Sequence, residues 1–340
     1  MWNRKLNDFY ELKTKKLVLY ITFLLPLLLI TLSISTSIGS TNHSPALDIG
    51  TIIKVLNGEA NEIEKVIIYQ IRFPRALTAI FAGGGLAVAG AILQAMLRNP
   101  LAEPYILGIS SGSAFGALLS IALIGTFSFV LTPITALLGS IVVIILVYML
   151  GKRRGTIDIN TMLLSGIMIG AFFSALILII ITLSGESLKN FIFWLLGNLS
   201  NVNLKQSVLI SVSVLIFTLI TFFSSHRLNL IATGDEIATQ LGIDAETTKK
   251  IFYFIASILT AVIVSITGII GFIGLVVPHI CRKIFSVDYR LLIPTSFFTG
   301  AITLLIADTI ARIILFPNEL PVGSITALFG APFFIYLLKK

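Results

Sequence analysis

The sequence predicts an all-α integral membrane protein, a polytopic bundle of about ten transmembrane helices. Hydrophobic residues make up 56% of the 340 residues and charged residues only 12%, whereas soluble domains carry about 25% charged residues. Several stretches without Asp, Glu, Lys or Arg reach the roughly 20 residues that one span needs. The 24 Lys and Arg residues form short clusters between these stretches, which is typical of membrane loops and not of a nucleic-acid-binding face.

The uncharged stretches set the number of spans. In chain order they are residues 17–47, 76–97, 104–151, 159–185, 206–226, 251–281, 291–307 and 320–338. The stretch 104–151 is long enough for two spans, with a turn between Gly125 and Pro133. The stretch 251–281 holds two spans if one of them is short, with a turn around Gly268. Ten spans are therefore expected.

The placement of charge predicts the orientation. With the N-terminus in the cytoplasm, 17 of the 24 Lys and Arg residues fall inside and 7 outside, and this bias favours two cytoplasmic termini. A basic segment, residues 1–16, precedes the first span, which we interpret as an uncleaved span rather than a signal peptide. No segment resembles a soluble domain, so residues 1–340 are expected to form a single transmembrane domain.

Small residues mark positions where helices approach closely. Gly108, Gly112 and Gly116 recur every fourth residue, and Gly166 and Gly170 repeat this spacing. On a helix these glycines share one face and allow another backbone to come near. The pattern is compatible with generic helix packing and with helices that line a pathway whose walls shift.

One carboxylate, Asp308, lies deep in an apolar run, and Arg312 follows four residues later on the same helical face. An intramembrane ionisable residue is a candidate functional group, but a local ion pair is the preferred interpretation. An ion-coupled carrier would need several carboxylates or histidines near the midplane. The sequence contains no metal-ligand spacing, no nucleophile–base pair and no P-loop pattern, so no cofactor, metal site or ATP site is expected.

Two polar loops stand out. The segment RNPLAEP, residues 98–104, is expected to form a structured turn because it contains two prolines and an asparagine. The cytoplasmic segment 228–243 is expected to contain a short amphipathic helix, capped by Thr233 or Asp235 and ended by Gly242. Nothing obvious in its own chain covers this helix, so either the membrane surface or a partner protein is expected to do so.

Long ordered motifs give the sequence a family resemblance. They are RFPRALTAIFAGGGLAVAGAILQAMLRNPLAEPYILGISSGSAFGA at 72–117, LNLIATGDEIATQLGI at 228–243, TGIIGFIGLVVPHICR at 267–282, DYRLLIP at 288–294, ADTIAR at 307–312 and ELPVGSITALFGAPFFIYLL at 319–338. On these motifs the chain resembles the iron-siderophore and cobalamin permease family of binding-protein-dependent ABC importers. The resemblance covers nearly the whole chain after the first span. Ser286 and Tyr289 stand where the family often has glycine and histidine.

The resemblance implies the type II ABC importer permease fold in a bacterial or archaeal plasma membrane. Its implied partners are a second permease, identical or homologous, two cytoplasmic ATPases, an external substrate-binding protein and membrane lipid. The chain would then be a transport subunit and not an enzyme. Cargo in the family includes ferric siderophores, haem, cobalamin and, more rarely, oxyanions such as molybdate. A ferric chelate is favoured as the commonest cargo, and an ion-coupled secondary transporter is the alternative.

The resemblance also implies three sets of site residues. Those expected to meet acidic residues of the binding protein are Arg72, Arg75 and Arg312. Those expected to close the path near the cytoplasm are Asn99, Leu101 and Thr161. Those expected in the segment that couples to the ATPase are Asp235, Glu236, Ala238, Leu241 and Gly242. The residue types suit these roles, since arginine holds carboxylates bidentately and leucine excludes water.

Overall fold

The computed structural model describes residues 2–41, 44–47, 49–153, 156–183, 188–315 and 318–338. These residues are nearly all helical, so the expected all-α class is confirmed. The helices are α1 Trp2–Ser37, α2 Ile49–Asn57, α3 Glu62–Val66, α4 Phe73–Met96, α5 Ile109–Ile124, α6 Leu131–Gly151, α7 Ile159–Leu183, α8 Leu188–Leu195, α9 Leu204–Phe223, α10 Ser225–Thr233, α11 Asp235–Gln240, α12 Ala245–Thr267, α13 Ile273–Ile284, α14 Tyr289–Ile313 and α15 Val322–Leu338.

Shorter elements connect these helices. A π-helical segment, Ile67–Arg72, joins α3 to α4 without a break, and a 3-10 turn, Pro104–Leu107, precedes α5. Two small antiparallel hairpins pair β1 (Ile38–Thr41) with β2 (Ser44–Leu47) and β3 (Lys152–Arg153) with β4 (Thr156–Ile157).

The number of membrane-crossing helices is close to expectation. Within the described residues, seven helical stretches are long and apolar enough to span a bilayer, and α5 and α15 are shorter apolar helices. The 12-residue α13 lies where the sequence predicted a short span. The turns fall where the sequence placed them: α5 ends at Gly125, whose φ is +80°, and Gly268, with φ +71°, ends α12 before the 12-residue α13.

Helix α4 forms the centre of the bundle. Its residues from Pro74 to Met96 are buried almost without interruption, and many of them are glycine or alanine. These small residues permit close backbone contact. A Cβ on Gly83 would lie 2.3 Å from the carbonyl oxygen of Gly300 in α14, and one on Gly90 would lie 1.7 Å from that of Gly274 in α13. Helices α13 and α14 therefore pack against α4 at close backbone distance.

The regularly spaced glycines do permit close approach, but to two different neighbours. Gly112 and Gly116 pack on α6, where a Cβ on Gly112 would lie 2.5 Å from the Gly139 carbonyl oxygen. Gly108 precedes α5 in a left-handed conformation, with φ +72°, and faces Gly166 of α7. The expectation of one shared helix face is wrong at Gly108, because this glycine is needed for the turn.

Antiparallel packing of α4 and α14 defines two ends of the bundle. At the end that we call the Arg75 end, Arg75 of α4 contacts Asp308 of α14. The other end, the Asp235 end, carries α11 and the starts of α12 and α14. Helix α1 runs between the two ends, since Lys13 pairs with Asp288 at the Asp235 end while Ser35 contacts Arg312 at the Arg75 end.

Candidate docking, gate and coupling sites

The Arg75 end is organised by a fully buried carboxylate, Asp308. The Arg75 Nε donates to both carboxylate oxygens, at 2.9 and 3.0 Å, and Arg75 Nη2 lies 2.9 Å from Oδ1. Arg312 Nε lies 3.3 Å from Oδ2, which confirms the ion pair expected from the four-residue spacing. Sequence reasoning missed Arg75 as the principal partner. Asp308 is thus held by two charges, which stabilises it in an apolar surrounding.

The three arginines expected to dock a binding protein come together at this end, but their guanidinium groups bind their own chain. Arg72 Nη1 donates to the carbonyl of Thr36 at 2.9 Å, and Arg312 donates to the carbonyl and hydroxyl of Ser35. Arg72 is 8% exposed and Arg75 is 6% exposed. Docking through these side chains therefore requires that a partner carboxylate exchange with an internal contact.

Glu319 is the most accessible of those internal contacts. Its Oε2 accepts a hydrogen bond from Arg75 Nη1 at 2.7 Å, and its side chain is 44% exposed whereas that of Arg75 is 7% exposed. The three arginines at this end, with Asp308 and Glu319, carry a formal charge of one unit positive. Sequence reasoning did not pair Arg75 with Glu319, because the two residues are 244 positions apart.

The 98–104 segment is the compact turn that was expected. The Asn99 side-chain oxygen accepts the backbone N–H of Leu101 at 2.9 Å, and Arg98 has a left-handed φ of +48°. Asn99 is exposed and Leu101 is half-buried. The side chain of Asn99 thus stabilises the turn.

Sequence reasoning missed a clamp next to this turn. Glu103 Oε1 accepts the backbone N–H of Phe272 at 2.7 Å, and the Tyr105 hydroxyl donates to the carbonyl of Ile270 at 2.8 Å. Phe272 is held at a left-handed φ of +68°, which is uncommon for a bulky residue. Burial raises the pKa of Glu103, and the Phe272 hydrogen bond opposes that rise. The clamp fixes the α12–α13 turn to the 98–104 turn.

Thr161 lies in the first turn of α7. Its backbone N–H donates to Asp158 Oδ1 at 2.7 Å, so Asp158 caps the helix and sets the position of Thr161. Within the part of the chain that the structure describes, no hydrogen bond joins Asn99 or Leu101 to Thr161. The gate formed by these three residues stays a prediction.

The segment 228–243 contains two helices, α10 and α11, rather than one. Gly242, with φ +84°, ends α11 as expected: its N–H donates to Thr239 O and the N–H of Ile243 donates to Ala238 O, which is a Schellman motif. The expected N-cap is wrong. Gly234, with φ +127°, occupies that position and its carbonyl accepts the N–H of Ala238.

Helix α11 does pack on its own chain, contrary to expectation. Ala238 is fully buried in a small apolar cluster with Ile231 of α10 and Ala245 of α12. Its small size therefore seats α11 on the permease itself. The outward face presents Ile237, 47% exposed, and Leu241, 61% exposed. These apolar side chains, next to the exposed Glu236, form a surface that a partner could cover.

Comparisons with known proteins match nearly the whole chain. A profile of the FecCD transport family matches residues 27–340. The iron(3+)-hydroxamate import system permease protein FhuG of Bacillus subtilis is 34% identical, over 96% of this chain and 98% of its own length. The hemin transport system permease protein HmuU of Yersinia pestis is 36% identical, over 95% of this chain and 96% of its own.

A solved structure has a fold similar to that of this chain. It is described as a metal-chelate type ABC transporter in an inward-facing conformation. It superposes with a TM-score of 0.82 at 32% identity, and the match covers 94% of this chain and 98% of that one.

Proposed function

The chain belongs to the FecCD transport family and is the permease subunit of an ABC importer, and we propose that its cargo is an iron chelate, either a ferric siderophore or haem, or cobalamin. The observation that carries the proposal is the match over residues 27–340 to a family in which relatives of similar length import iron-hydroxamate and hemin. The relatives are transport subunits, and ATP hydrolysis lies with a separate ATPase. They give no support to an ion-coupled carrier.

The proposed assembly contains two permease chains, two ATPases and one external binding protein. In it the Asp235 end faces the cytoplasm and the Arg75 end faces outward. The charge distribution supports this orientation, because 17 of the 24 Lys and Arg residues then lie on the cytoplasmic side. The cluster of Arg72, Arg75 and Arg312 then meets the binding protein. Its surplus positive charge suits an acidic docking partner.

At the opposite end, α11 is the proposed contact with the ATPase. Its exposed Ile237 and Leu241 supply a small apolar ridge, and Asp235, Glu236 and Gly242 lie at its ends. Ala238 contributes indirectly, because it seats the helix on α10 and α12. The proposed gate of Asn99, Leu101 and Thr161 lies at the same end of the bundle. A motion of the ATPase at α11 would therefore be transmitted over a short distance to the gate of the translocation path.

Uptake by purified components tests the proposal. The permease, its ATPase and its binding protein are reconstituted in proteoliposomes and offered a ferric hydroxamate, hemin, cyanocobalamin and molybdate in turn. ATP-dependent uptake of one of the first three is expected, and a catalytically dead ATPase should abolish it. Uptake of molybdate alone would replace the proposed cargo with an oxyanion. Uptake without ATPase would contradict the proposed assembly.

A further inference from the structure

A buried lysine lies where three segments of the Asp235 end meet. Lys249, in the second turn of α12, is 2% exposed. Its ammonium group lies 2.5 Å from Glu246 Oε1, 3.1 Å from Asp235 Oδ2 and 3.5 Å from the carbonyl oxygen of Ile157. An ammonium has three N–H donors. Each of the three therefore finds an acceptor, and the acceptors belong to α12, α11 and β4 respectively.

The contact to β4 is reinforced from the same helix. Glu246 Oε2 accepts the backbone N–H of Ile157 at 2.8 Å. Both backbone polar groups of Ile157 are thus bound by side chains of α12, and its own side chain is buried. Strand β4 is only two residues long, so these bonds, and not the hairpin, hold it against α12.

Only a few atoms separate this junction from the proposed gate. Ile157 is followed by Asp158, whose carboxylate caps α7 by accepting the N–H of Thr161 at 2.7 Å. The carbonyl of Asp158 also accepts the N–H of Met162. A displacement of Ile157 must therefore shift the first turn of α7 and Thr161 with it.

We propose that Lys249 is a positioning residue that ties the coupling helix α11 to the gate-bearing start of α7, so that the two move as one body during the transport cycle. The inference rests on the proposed roles of α11 and Thr161. Two acceptors, Asp235 and Glu246, are 37% and 38% exposed, whereas the lysine is not. The lysine is thus the buried centre of the joint. Apolar side chains in place of this network would fill the space without linking α11, α12 and β4 to one another. The ion network instead specifies one arrangement of these three segments.

Spin labels on two exposed positions test the tie directly. Gln240 at the end of α11 and Asn160 at the start of α7 are exposed and are replaced by cysteine in a Cys281→Ser background, since Cys281 is the one native cysteine. The distance between the labels is measured in the assembled importer with and without ATP–vanadate. In the otherwise unaltered chain the distance distribution should stay narrow and unchanged. In Lys249→Met it should broaden and shift with nucleotide.

Transport of the imported probe, a ferric hydroxamate or hemin, gives the second readout. Lys249→Met should lower the cargo imported per ATP hydrolysed at least fivefold, within the usual range of coupling between sites, while Lys249→Arg should restore it. Lys250→Met is the matched control, because Lys250 is exposed and its ammonium lies over the Tyr148 ring. It should change neither readout.

A role limited to folding predicts a different result. Lys249→Met would then reduce the amount of assembled importer but leave the label distance and the cargo per ATP unchanged, and this outcome overturns the proposal. A separate measurement, ATPase association, distinguishes failure of the proposed coupling role of α11 from failure of the proposed role of Lys249. If Leu241→Ser, on the outward face of α11, left ATPase association intact, α11 would not be the coupling helix at all.

Discussion

Arg75 and Asp308 are 233 positions apart, yet the Arg75 guanidinium binds both oxygens of the Asp308 carboxylate, at 2.9 and 3.0 Å, inside the bundle. The pair joins the start of α4 to the last turns of α14. Both side chains are withdrawn from solvent, at 7% and 0% exposure. The pair is therefore a structural joint as well as part of the proposed docking cluster, and the two roles have to be separated by experiment.

Removal of Arg75 should destabilise the permease strongly. Arg75→Met leaves the Asp308 charge buried with Arg312 alone, and breaking a buried pair costs about 3–5 kcal/mol. Unfolding of the purified permease in detergent measures the loss. Lys54→Met is the control, since Lys54 is 55% exposed and lies 3.7 Å from Glu64, and such pairs contribute about 0–1 kcal/mol. Equal stability of the two variants would contradict a structural role for the Arg75–Asp308 pair.

Glu319 offers a test of docking that leaves this joint intact. Glu319→Gln removes the exposed carboxylate that competes for Arg75 Nη1. The binding protein should therefore associate up to about fivefold more tightly, since exposed ion pairs are worth roughly 0.2–1 kcal/mol. Titration of the binding protein onto permease in nanodiscs measures the affinity.

The control for docking removes the same charge elsewhere. Glu62→Gln changes a side chain that is 88% exposed and pairs with Lys65, and it should have little effect on affinity. If Glu319→Gln bound no more tightly than Glu62→Gln, Arg75 would not be a contact of the binding protein.

Close helix packing predicts a sharp difference between two glycines. In Gly90→Ala the new methyl group would lie 1.7 Å from the Gly274 carbonyl oxygen, so α4 and α13 must separate, at a cost of about 1–3 kcal/mol or more. In Gly170→Ala the nearest atom, Ser111 Oγ, is 3.4 Å away, and the methyl group should fit. Thermal unfolding of both variants checks this, and similar melting temperatures would contradict the packing.

Local patterns predicted the fold well because a membrane span is a local property of the chain. Runs of uncharged residues predicted the positions of the long apolar helices. Gly125, Gly242 and Gly268 marked three helix ends, since each adopts a positive φ that other residues avoid. The Asp308–Arg312 pair was also predictable, because four residues bring two side chains onto one helix face.

Contacts between distant segments were not predictable in this way. The clamp from Glu103 to Phe272 and the pair of Arg75 with Asp308 depend on which helices lie side by side, and hydrophobicity does not encode that choice. Ala238 illustrates the same limit at short range. A six-residue helix makes fewer than two turns, so its pattern alone does not decide which face meets the permease and which meets a partner.

Cysteine cross-linking tests the gate across two copies of the chain. Asn99→Cys and Thr161→Cys are combined in the Cys281→Ser background. If these residues close the path, an oxidant should produce a cross-linked dimer and stop uptake, because a disulfide requires Cα atoms roughly 4.4–6.8 Å apart. A reductant should restore uptake. Asn99→Cys alone is the control, and efficient cross-linking with unchanged uptake would reject the gate.

The two faces of α11 predict opposite consequences for two substitutions. Leu241 is 61% exposed, so Leu241→Ser should leave the permease as stable as before and weaken its association with the ATPase, since an apolar contact of a partner is lost. Ala238 is fully buried against Ile231 and Ala245, so Ala238→Trp should unseat α11 and reduce the amount of folded permease even without a partner. Thermal unfolding of the permease alone and co-purification with the ATPase separate the two effects. An Ala238→Trp permease with unchanged melting temperature would show that α11 is not seated as described, and the coupling surface would then have to be sought on the face that Ala238 occupies.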